Sequence, residues 1–242
     1  MKFINSLLTA LPLLVALNVQ AAADDLLKPF VLGSKGAGTV AEKAEQAKSA
    51  LTGAGFTVVG NYSPYADAQI LIVTSDELKK NAAASEFGGY GAVQRVAITK
   101  VKNDVQVSYT NPVYMANAYR MKGDLSGTAT ALAGALGKVE EFGAKGLTAA
   151  KLRKYNYMIG MEHFNEPSVL AEYGSYEEAV KAVDAKLTNN KNGVSKVYRV
   201  DIPGKKESVF GVAMNDGGHG DGEWIKKIDQ QENIEFVTVA VV

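Results

Sequence analysis

A glycine-rich loop at residues 215–224 combines the residue types that most often bind metal ions. It contains three carboxylates, four glycines and one of the two histidines of the chain. Carboxylate oxygens and imidazole nitrogens are common metal ligands, and a glycine-rich loop allows Asp216, His219 and Asp221 to converge on one ion. The spacing matches neither an EF-hand nor the paired histidines of a metalloprotease helix. The alternative is a solvated strand-to-helix loop, with Asp221 near the positive end of the helix.

The other histidine, His163, follows a predicted strand at residues 155–161. In a cavity it could act as an acid, a base or an axial haem ligand. Met158 and Met161 would add soft ligands for copper or haem, although methionines at strand positions more often fill a core. In a ferredoxin-like sheet His163 and His219 would lie at opposite edges. The sequence therefore predicts at most a metal site with one histidine.

Other motifs for chemistry are missing or incomplete. The chain has no cysteine, which excludes disulfides, thiolate ligands and covalently attached haem. It has no Gly-x-Ser-x-Gly turn, and the glycines at residues 33–38 lack the Gly-Lys-Ser/Thr ending of a phosphate-binding loop. The 26 basic and 26 acidic residues are interspersed, unlike the basic surface that binds nucleic acid. We therefore expect no hydrolytic triad, no nucleic-acid partner and no bound cofactor.

Six tyrosines of the first half lie in predicted loops or at strand ends: Tyr62, Tyr65, Tyr90, Tyr109, Tyr114 and Tyr119. Tyrosine supplies apolar area and a hydroxyl, which suits a ligand of mixed polarity. Tyr90, Tyr109, Asn111 and Tyr114 surround a predicted hairpin and the helix after it, and they are the predicted ligand-binding residues. The alternative is that each tyrosine lies at the half-buried rim of a sheet.

The elements that must position these residues alternate between strands and helices. In the first half, strands are predicted at residues 29–32, 56–59, 68–73, 93–101 and 104–110. Helices are predicted after Thr39, which forms a capping box with Glu42, after Ser75, and at residues 113–121. Apolar and polar residues alternate along 104–110, so one face of that strand is expected to be exposed.

The second half repeats this order. Residues 125–139 have helical spacing and are predicted to form an amphipathic connecting helix. Strands are predicted at 155–161, 194–202, 208–214 and 236–242, and helices at 175–187, after the capping residue Ser175, and at 222–231. The β-α-β-β-α-β order predicts an α+β protein of two ferredoxin-like domains with antiparallel sheets. Their predicted bounds are 24–121 and 151–242, joined by a helical connector at 122–150.

The first half also resembles a known family. The helix-to-strand step Ala54-Gly55-Phe56-Thr57-Val58, the strand Ile70-Leu71-Ile72-Val73, the hairpin and the step Asn111-Pro112 resemble the small domains catalogued as domain of unknown function 302. The resemblance covers residues 38–121. Members of that family usually have a Cys-Asn-Pro step after the second strand, where this chain has Val73-Thr74-Ser75. The resemblance implies an α+β fold and ligand binding, and it implies no particular activity.

Residues 1–23 have the pattern of a cleavable secretory signal. Lys2 precedes an apolar run at residues 7–17 and a stretch that ends in three alanines. The run is shorter than the roughly 20 residues that span a bilayer, and no later apolar stretch is long enough. We therefore expect a periplasmic or secreted protein without a membrane span, whose mature chain begins at Ala22 or Asp24.

Three functions fit these observations. The first is a non-catalytic protein that binds a small molecule or an envelope protein partner near the hairpin and Asn111. The second is a metal- or haem-dependent redox or hydrolytic protein that uses the 215–224 loop. The third is a structural subunit that assembles through sheet edges or the 125–139 helix. The sequence favours the first.

Overall fold

The protein is a mixed α+β structure built on a six-stranded antiparallel sheet, which confirms the predicted class. The computed structural model describes residues 25–156, 158–163, 166–189, 193–215, 217–218 and 220–224. The strands are β1 (Phe30–Gly36), β2 (Thr57–Tyr62), β3 (Ala68–Thr74), β4 (Gln94–Val101), β5 (Asp104–Thr110) and β6 (Glu140–Phe142). Their order in the sheet is β2-β3-β4-β5-β1-β6, and each neighbouring pair is antiparallel.

Helix α1 (Val40–Gly53) carries the chain from β1 across the sheet to β2. The predicted capping box is confirmed, because Thr39 Oγ1 accepts from the Glu42 N–H at 3.2 Å and Glu42 Oε2 accepts from the Thr39 N–H at 2.9 Å. The antiparallel order makes β1 and β2 parallel to each other, with three strands between them. In a ferredoxin-like split βαβ unit, one strand lies between the two parallel strands that the helix connects. The predicted ferredoxin-like order is therefore not found in the first half.

The predicted hairpin and the helices on either side of it are confirmed. Val101 pairs with Asp104, which leaves a two-residue turn between β4 and β5. Helix α2 (Asp76–Ala84) begins after Ser75, whose Oγ accepts from the Leu78 N–H at 3.2 Å. Helix α3 (Pro112–Ala118) follows β5 directly.

One face of the sheet is covered by α1 and by α4 (Ser126–Leu136). Leu132 of α4 is fully buried and belongs to the same hydrophobic cluster as Leu51 of α1 and Ile98 of β4. The chain then pairs β6 with β1, and it continues into the short helix α5 (Ala149–Leu152), which contacts α3. The segment 122–150, predicted as a connector, thus supplies a core helix and an edge strand to the main sheet.

Gly33 and Gly137 allow α4 to pack closely against β1 of the sheet. The register of β1 shifts at Gly33, where an added Cβ would lie 2.7 Å from the Leu136 carbonyl oxygen. Gly137 ends α4 with φ +85°, and a Cβ there would overlap the Gly33 carbonyl. A side chain at either position would force the helix away from β1.

The opposite face of the sheet is buried at β5, where the sequence predicts exposure. Gln106, Ser108 and Thr110 are only 1, 2 and 4% exposed. The prediction of an exposed face is therefore wrong. Alternation of polar and apolar residues indicates two different faces, but small polar side chains can also be buried when they form hydrogen bonds.

Two strands of the second half, β7 (Val194–Asp201) and β8 (Ser208–Met214), form the predicted hairpin. Helix α6 (Tyr176–Thr188) packs on β7, and its predicted cap is confirmed because Ser175 Oγ accepts from the Glu178 N–H at 3.1 Å. The hairpin contacts the main sheet closely, since a Cβ on Gly60 of β2 would lie 2.6 Å from the Val197 carbonyl oxygen. Val200 and Ile202 join the hydrophobic cluster of the first half.

Residues 155–161 do not form the predicted strand. Asn156 pairs with His163 in an isolated antiparallel bridge, and Gly160 has φ +87°, so the chain turns back between them. Met158 and Met161 are 60 and 49% exposed, so neither fills a core. The helix predicted at 222–231 begins as a helical turn at 221–224. Its remainder, the closing strand at 236–242 and the signal at 1–23 lie outside the described residues.

Within the described ranges, no helix has the length and apolar character to cross a bilayer.

Candidate functional site

A cleft of about 210 Å³ lies between the main sheet and the β7–β8 hairpin. Its first-half wall consists of Tyr90, Val93, Arg95, Thr110, Met115 and Tyr119, and its hairpin wall consists of Tyr198, Val209, Phe210, Gly211 and Val212. Four of these eleven residues are aromatic, and we call the site the aromatic cleft.

Tyr90 and Tyr119 form one aromatic pair of the cleft. Tyr90 lies in the 3₁₀ helix Gly88–Gly91, and Tyr119 ends α3. Their rings stack with centroids 5.7 Å apart and 28° between the ring planes. The glycines of the 3₁₀ helix make this position possible, because a Cβ on Gly88 would overlap the Ala82 backbone and one on Gly91 would overlap Met121.

Tyr198 faces this pair from the hairpin. It pairs with Gly211 across the two strands, and a Cβ on Gly211 would overlap the Tyr198 ring. Glycine at position 211 therefore leaves room for the ring over β8. Burial raises the pKa of the Tyr198 phenol, and the positive charge of Arg95 opposes that shift. The phenol thus stays protonated at neutral pH.

Phe210 also lines the cleft, and it pairs across the hairpin with Arg199 and not with Tyr198. The guanidinium carbon of Arg199 lies 5.6 Å from the centre of the Phe210 ring. Arg199 also donates to Asp201 from Nε at 2.7 Å and from Nη2 at 3.1 Å. The bidentate ion pair with Asp201 fixes the Arg199 guanidinium, and its cation–π contact in turn restricts the Phe210 ring.

The polar part of the cleft comes from the start of β4 and the end of β5. Thr110 Oγ1 donates to Gln94 Oε1 at 2.7 Å and accepts from the Arg95 N–H at 3.1 Å. Gln94 is 1% exposed, and its Nε2 has no hydrogen-bond partner among the described residues. Arg95 brings a permanent positive charge to a wall that is otherwise mostly apolar.

A second cleft, of about 320 Å³, shares Tyr90 and Val209 with the aromatic cleft. Its other walls are Phe87, Gly89 and residues 206–208. Here Glu207 Oε1 accepts from the Gly89 N–H at 2.7 Å, and Lys205 Nζ donates to the carbonyls of Ala82 and Ser85. These bonds connect the tip of the hairpin to α2 and the 3₁₀ helix.

Of the four predicted ligand-binding residues, the structure brings only Tyr90 to the aromatic cleft. Tyr109 is 2% exposed in the helix-covered core, where its hydroxyl donates to the Gly137 carbonyl at 3.0 Å. Asn111 caps α3 and donates from Nδ2 to the Lys28 carbonyl and to Glu141 Oε2, both at 3.0 Å. Tyr114 does not line either cleft, and burial raises the pKa of its phenol.

The predicted metal residues are only partly described. Asp216 and His219 lie outside the described residues. Asp221 Oδ2 accepts from the Met214 N–H at 3.0 Å, and the negative charge of Asp221 adds to burial in raising the pKa of Tyr62. Within the described ranges, no three His, Asp or Glu side chains converge as metal ligands do. The metal site at the 215–224 loop therefore stays a prediction. The separation of His163 from His219 also stays a prediction, and the strand at 155–161 on which that argument depended is not present.

Sequence reasoning singled out Tyr119 among the tyrosines but missed Arg95, Tyr198 and Phe210. The last two lie on strands that were predicted well. Their approach to Tyr90 depends on where the hairpin packs, and no local sequence pattern encodes that. Gly60 and Gly211 were available signals, since glycine within a strand often marks a close approach of another group, and both make such contacts with the hairpin.

No family model, no curated protein and no solved structure matches this chain.

Proposed function

We propose that this protein is an exported, non-catalytic binding protein whose aromatic cleft takes a small ligand with a flat apolar body and a negatively charged group. One observation carries the proposal: Tyr90, Tyr119 and Tyr198 come from two parts of the chain and line one cleft together with the charged Arg95. Ligand sites in proteins are typically apolar and aromatic, with a few polar groups that fix orientation.

The size and composition of the cleft define the ligand further. A volume of about 210 Å³ is below the roughly 300–1,000 Å³ of drug-sized pockets. Stacked tyrosines favour a planar ring, because offset stacking adds roughly 0.5–1.5 kcal/mol to the burial of area. A carboxylate is the natural partner of a guanidinium. An aromatic monocarboxylate therefore fits the cleft best.

The lining favours binding over catalysis. It combines rings, aliphatic side chains, one aliphatic hydroxyl and one guanidinium. The Thr110 hydroxyl already donates to Gln94, and the raised pKa of Tyr198 keeps its phenol protonated at neutral pH, so no phenolate is available as a base. This set can hold and orient a ligand, but it offers no evident proton acceptor.

Ligand-observed NMR with benzoate tests the proposal. We expect saturation transfer from the protein to benzoate, weaker transfer to benzyl alcohol, which lacks the charge, and to cyclohexanecarboxylate, which lacks the planar ring. Tyr119→Leu should weaken benzoate binding at least fivefold, a loss of about 1 kcal/mol of stacking energy. Tyr114→Leu removes a phenol from the same helix that does not line the cleft, and it should bind benzoate as the unaltered protein does.

Two results would overturn the proposal. One is the absence of any benzoate signal with the unaltered, folded protein. The other is equal binding by Tyr119→Leu and the unaltered chain, since the probe would then be bound elsewhere. Thermal unfolding of each variant confirms that a lost signal does not come from a lost fold.

Export is a separate part of the proposal and has a separate test. The support is the charge, apolar run and alanines of residues 1–23. The chain expressed in a Gram-negative bacterium is expected in the periplasmic fraction, with Ala22 or Asp24 at its N-terminus. Recovery of the soluble protein from the cytoplasm with Met1 in place would contradict it.

A further inference from the structure

A third, chemically different cleft lies where the ends of α3 and α5 meet. Its volume is about 690 Å³, and it is shallow and widely open to solvent. Four of its five lining residues are basic in type, namely Arg120, Arg153, Lys154 and His163, and the fifth is Ala150. We call it the basic cleft. None of these residues lines the aromatic cleft.

The two arginines of the basic cleft are held by backbone carbonyls. Arg120 Nε donates to the Arg153 carbonyl at 2.7 Å, and Arg153 Nη1 donates to the Met121 carbonyl at 3.2 Å. Each guanidinium therefore uses one N–H in a described bond and keeps its charge, since a carbonyl is neutral. Anchored side chains lose less conformational entropy when they bind a ligand. This arrangement differs from that of lysines scattered over a solvated surface.

His163 is fixed as well. Its Nδ1 donates to the Tyr155 carbonyl at 2.8 Å, so Nε2 is the ring nitrogen left for a ligand. The carboxylate of Glu166 is close, since its Oε2 accepts from the His163 backbone N–H at 2.6 Å. Glu166 is not part of the lining, so the described wall of the cleft carries only positive charge.

The backbone at Arg120 supports a role for its side chain. Arg120 has φ +51°, at the position after α3 where the Met121 N–H bonds to the Ala116 carbonyl at 2.8 Å. Helices commonly place glycine there, because a side chain in the left-handed region costs roughly 1–2 kcal/mol. Despite this cost, position 120 has arginine, and its guanidinium lines the basic cleft.

We propose that the basic cleft is a binding site for a phosphate-type oxyanion with more than one negative charge. Two guanidinium groups, an ammonium and an imidazole offer more donors than one carboxylate can accept, whereas phosphate oxygens accept from several. The wide opening admits a phosphate borne on a larger molecule. Free pyrophosphate and a phospholipid headgroup both offer this phosphate chemistry. The exposed apolar side chains of Met158 and Ile159 follow Lys154 closely in the chain, which suits the lipid as a source.

Calorimetric titration of the mature chain with pyrophosphate at low salt is the first test. We expect binding that weakens as salt is added. Lys154→Ala should lower the affinity at least fivefold, and Lys154→Arg should restore it. Lys151→Ala is the matched control, because Lys151 is exposed on α5 three residues before Lys154, its substitution removes the same charge, and it does not line the cleft.

Sedimentation with vesicles of phosphatidylglycerol, against vesicles of phosphatidylcholine alone, is the second arm. Binding to pyrophosphate or to the anionic vesicles supports the site, provided that Lys154→Ala weakens it and Lys151→Ala does not. Binding to vesicles but not to pyrophosphate identifies a lipid-borne phosphate as the source. Equal effects of the two lysine variants, or no binding in either arm, would overturn the proposal. The benzoate experiment is independent of these results, since it reports on a different cleft.

Discussion

Tyr119 and Arg120 are neighbours in the chain, yet their side chains line two different clefts. Tyr119 stacks on Tyr90 in the aromatic cleft, and Arg120 bonds to the Arg153 carbonyl in the basic cleft. The left-handed backbone of Arg120 turns the chain between these two directions. The end of α3 is thus common to both proposed sites.

The variant Arg120→Gly separates the two sites. Glycine relieves roughly 1–2 kcal/mol of left-handed backbone strain, and the lost bond to Arg153 costs about 1 kcal/mol, so stability should change little. Pyrophosphate affinity is expected to fall at least fivefold while benzoate affinity stays the same. Parallel titrations with both probes measure this. Loss of both affinities together would show that the clefts are not independent.

Two glycines of α4 make a matched pair for stability. Gly137→Ala places a Cβ against the Gly33 carbonyl at φ +85°, and it should destabilise the protein by about 2 kcal/mol or more. Gly134→Ala has nothing within 4 Å of the new Cβ and lies inside the helix, so it should stabilise by about 0.5–1 kcal/mol. Urea unfolding measures both changes. Equal effects of the two substitutions would contradict the close approach of β1 and α4.

The buried phenol of Tyr109 predicts a fall in stability at alkaline pH. Burial, with a contribution from the charge of Glu141, raises the pKa of Tyr109 to about 12. Between pH about 10, where an unfolded tyrosine ionises, and pH about 12 the unfolded chain binds fewer protons, so the free energy of unfolding decreases as pH rises. Tyr109→Phe should lose about 1 kcal/mol at neutral pH with its hydrogen bond to Gly137, and it should show a shallower alkaline decline.

Urea unfolding of both proteins at about pH 8 and about pH 11 tests this prediction. Tyr62, Tyr114 and Tyr198 also have raised pKa values, so part of the decline should remain in the variant. An equal decline in both proteins would show that Tyr109 ionises as an exposed phenol does.

The hydrogen bond from the Gly89 N–H to Glu207 holds the hairpin against the 3₁₀ helix. Glu207→Ala removes the acceptor of a charge-assisted hydrogen bond, which should cost roughly 1–3 kcal/mol locally. Amide hydrogen exchange is expected to accelerate in the 3₁₀ helix and in β8, and to stay unchanged in β3 and β4. Lys196→Ala, which breaks a solvent-accessible ion pair between β7 of the same hairpin and Asp184 of α6, serves as the control and should change little. Uniform acceleration across the sheet would instead indicate global destabilisation.

Local patterns predicted the elements of this fold well, and their assembly poorly. The capping residues Thr39, Ser75 and Ser175 each predicted a helix start, because a cap depends on residues only three positions apart. The sheet order depends on pairs such as Phe30 with Thr110, which are distant in sequence. The ferredoxin-like sheet was expected only from the succession of strands and helices along the chain. The same succession is also compatible with the sheet observed.

The candidate sites show the same division. Tyr90 was predicted as a ligand-binding residue from its loop position, but Tyr109 and Asn111 were not distinguishable from it by residue type. Their roles in the core and in capping α3 depend on Gly137, Lys28 and Glu141, which come from other segments. The basic cleft escaped prediction because Arg120 and His163 come together only when residues 155–161 turn back instead of forming a strand.

Strand β6 forms an outer edge of the described sheet. An open strand edge is a template on which another chain can add a strand. Here the edge strand β6 has only three residues, and the exposed Glu140 lies on it. A second copy that added its own β6 would form few hydrogen bonds and bring like charges together. The short acidic edge therefore disfavours growth of the sheet into a polymer.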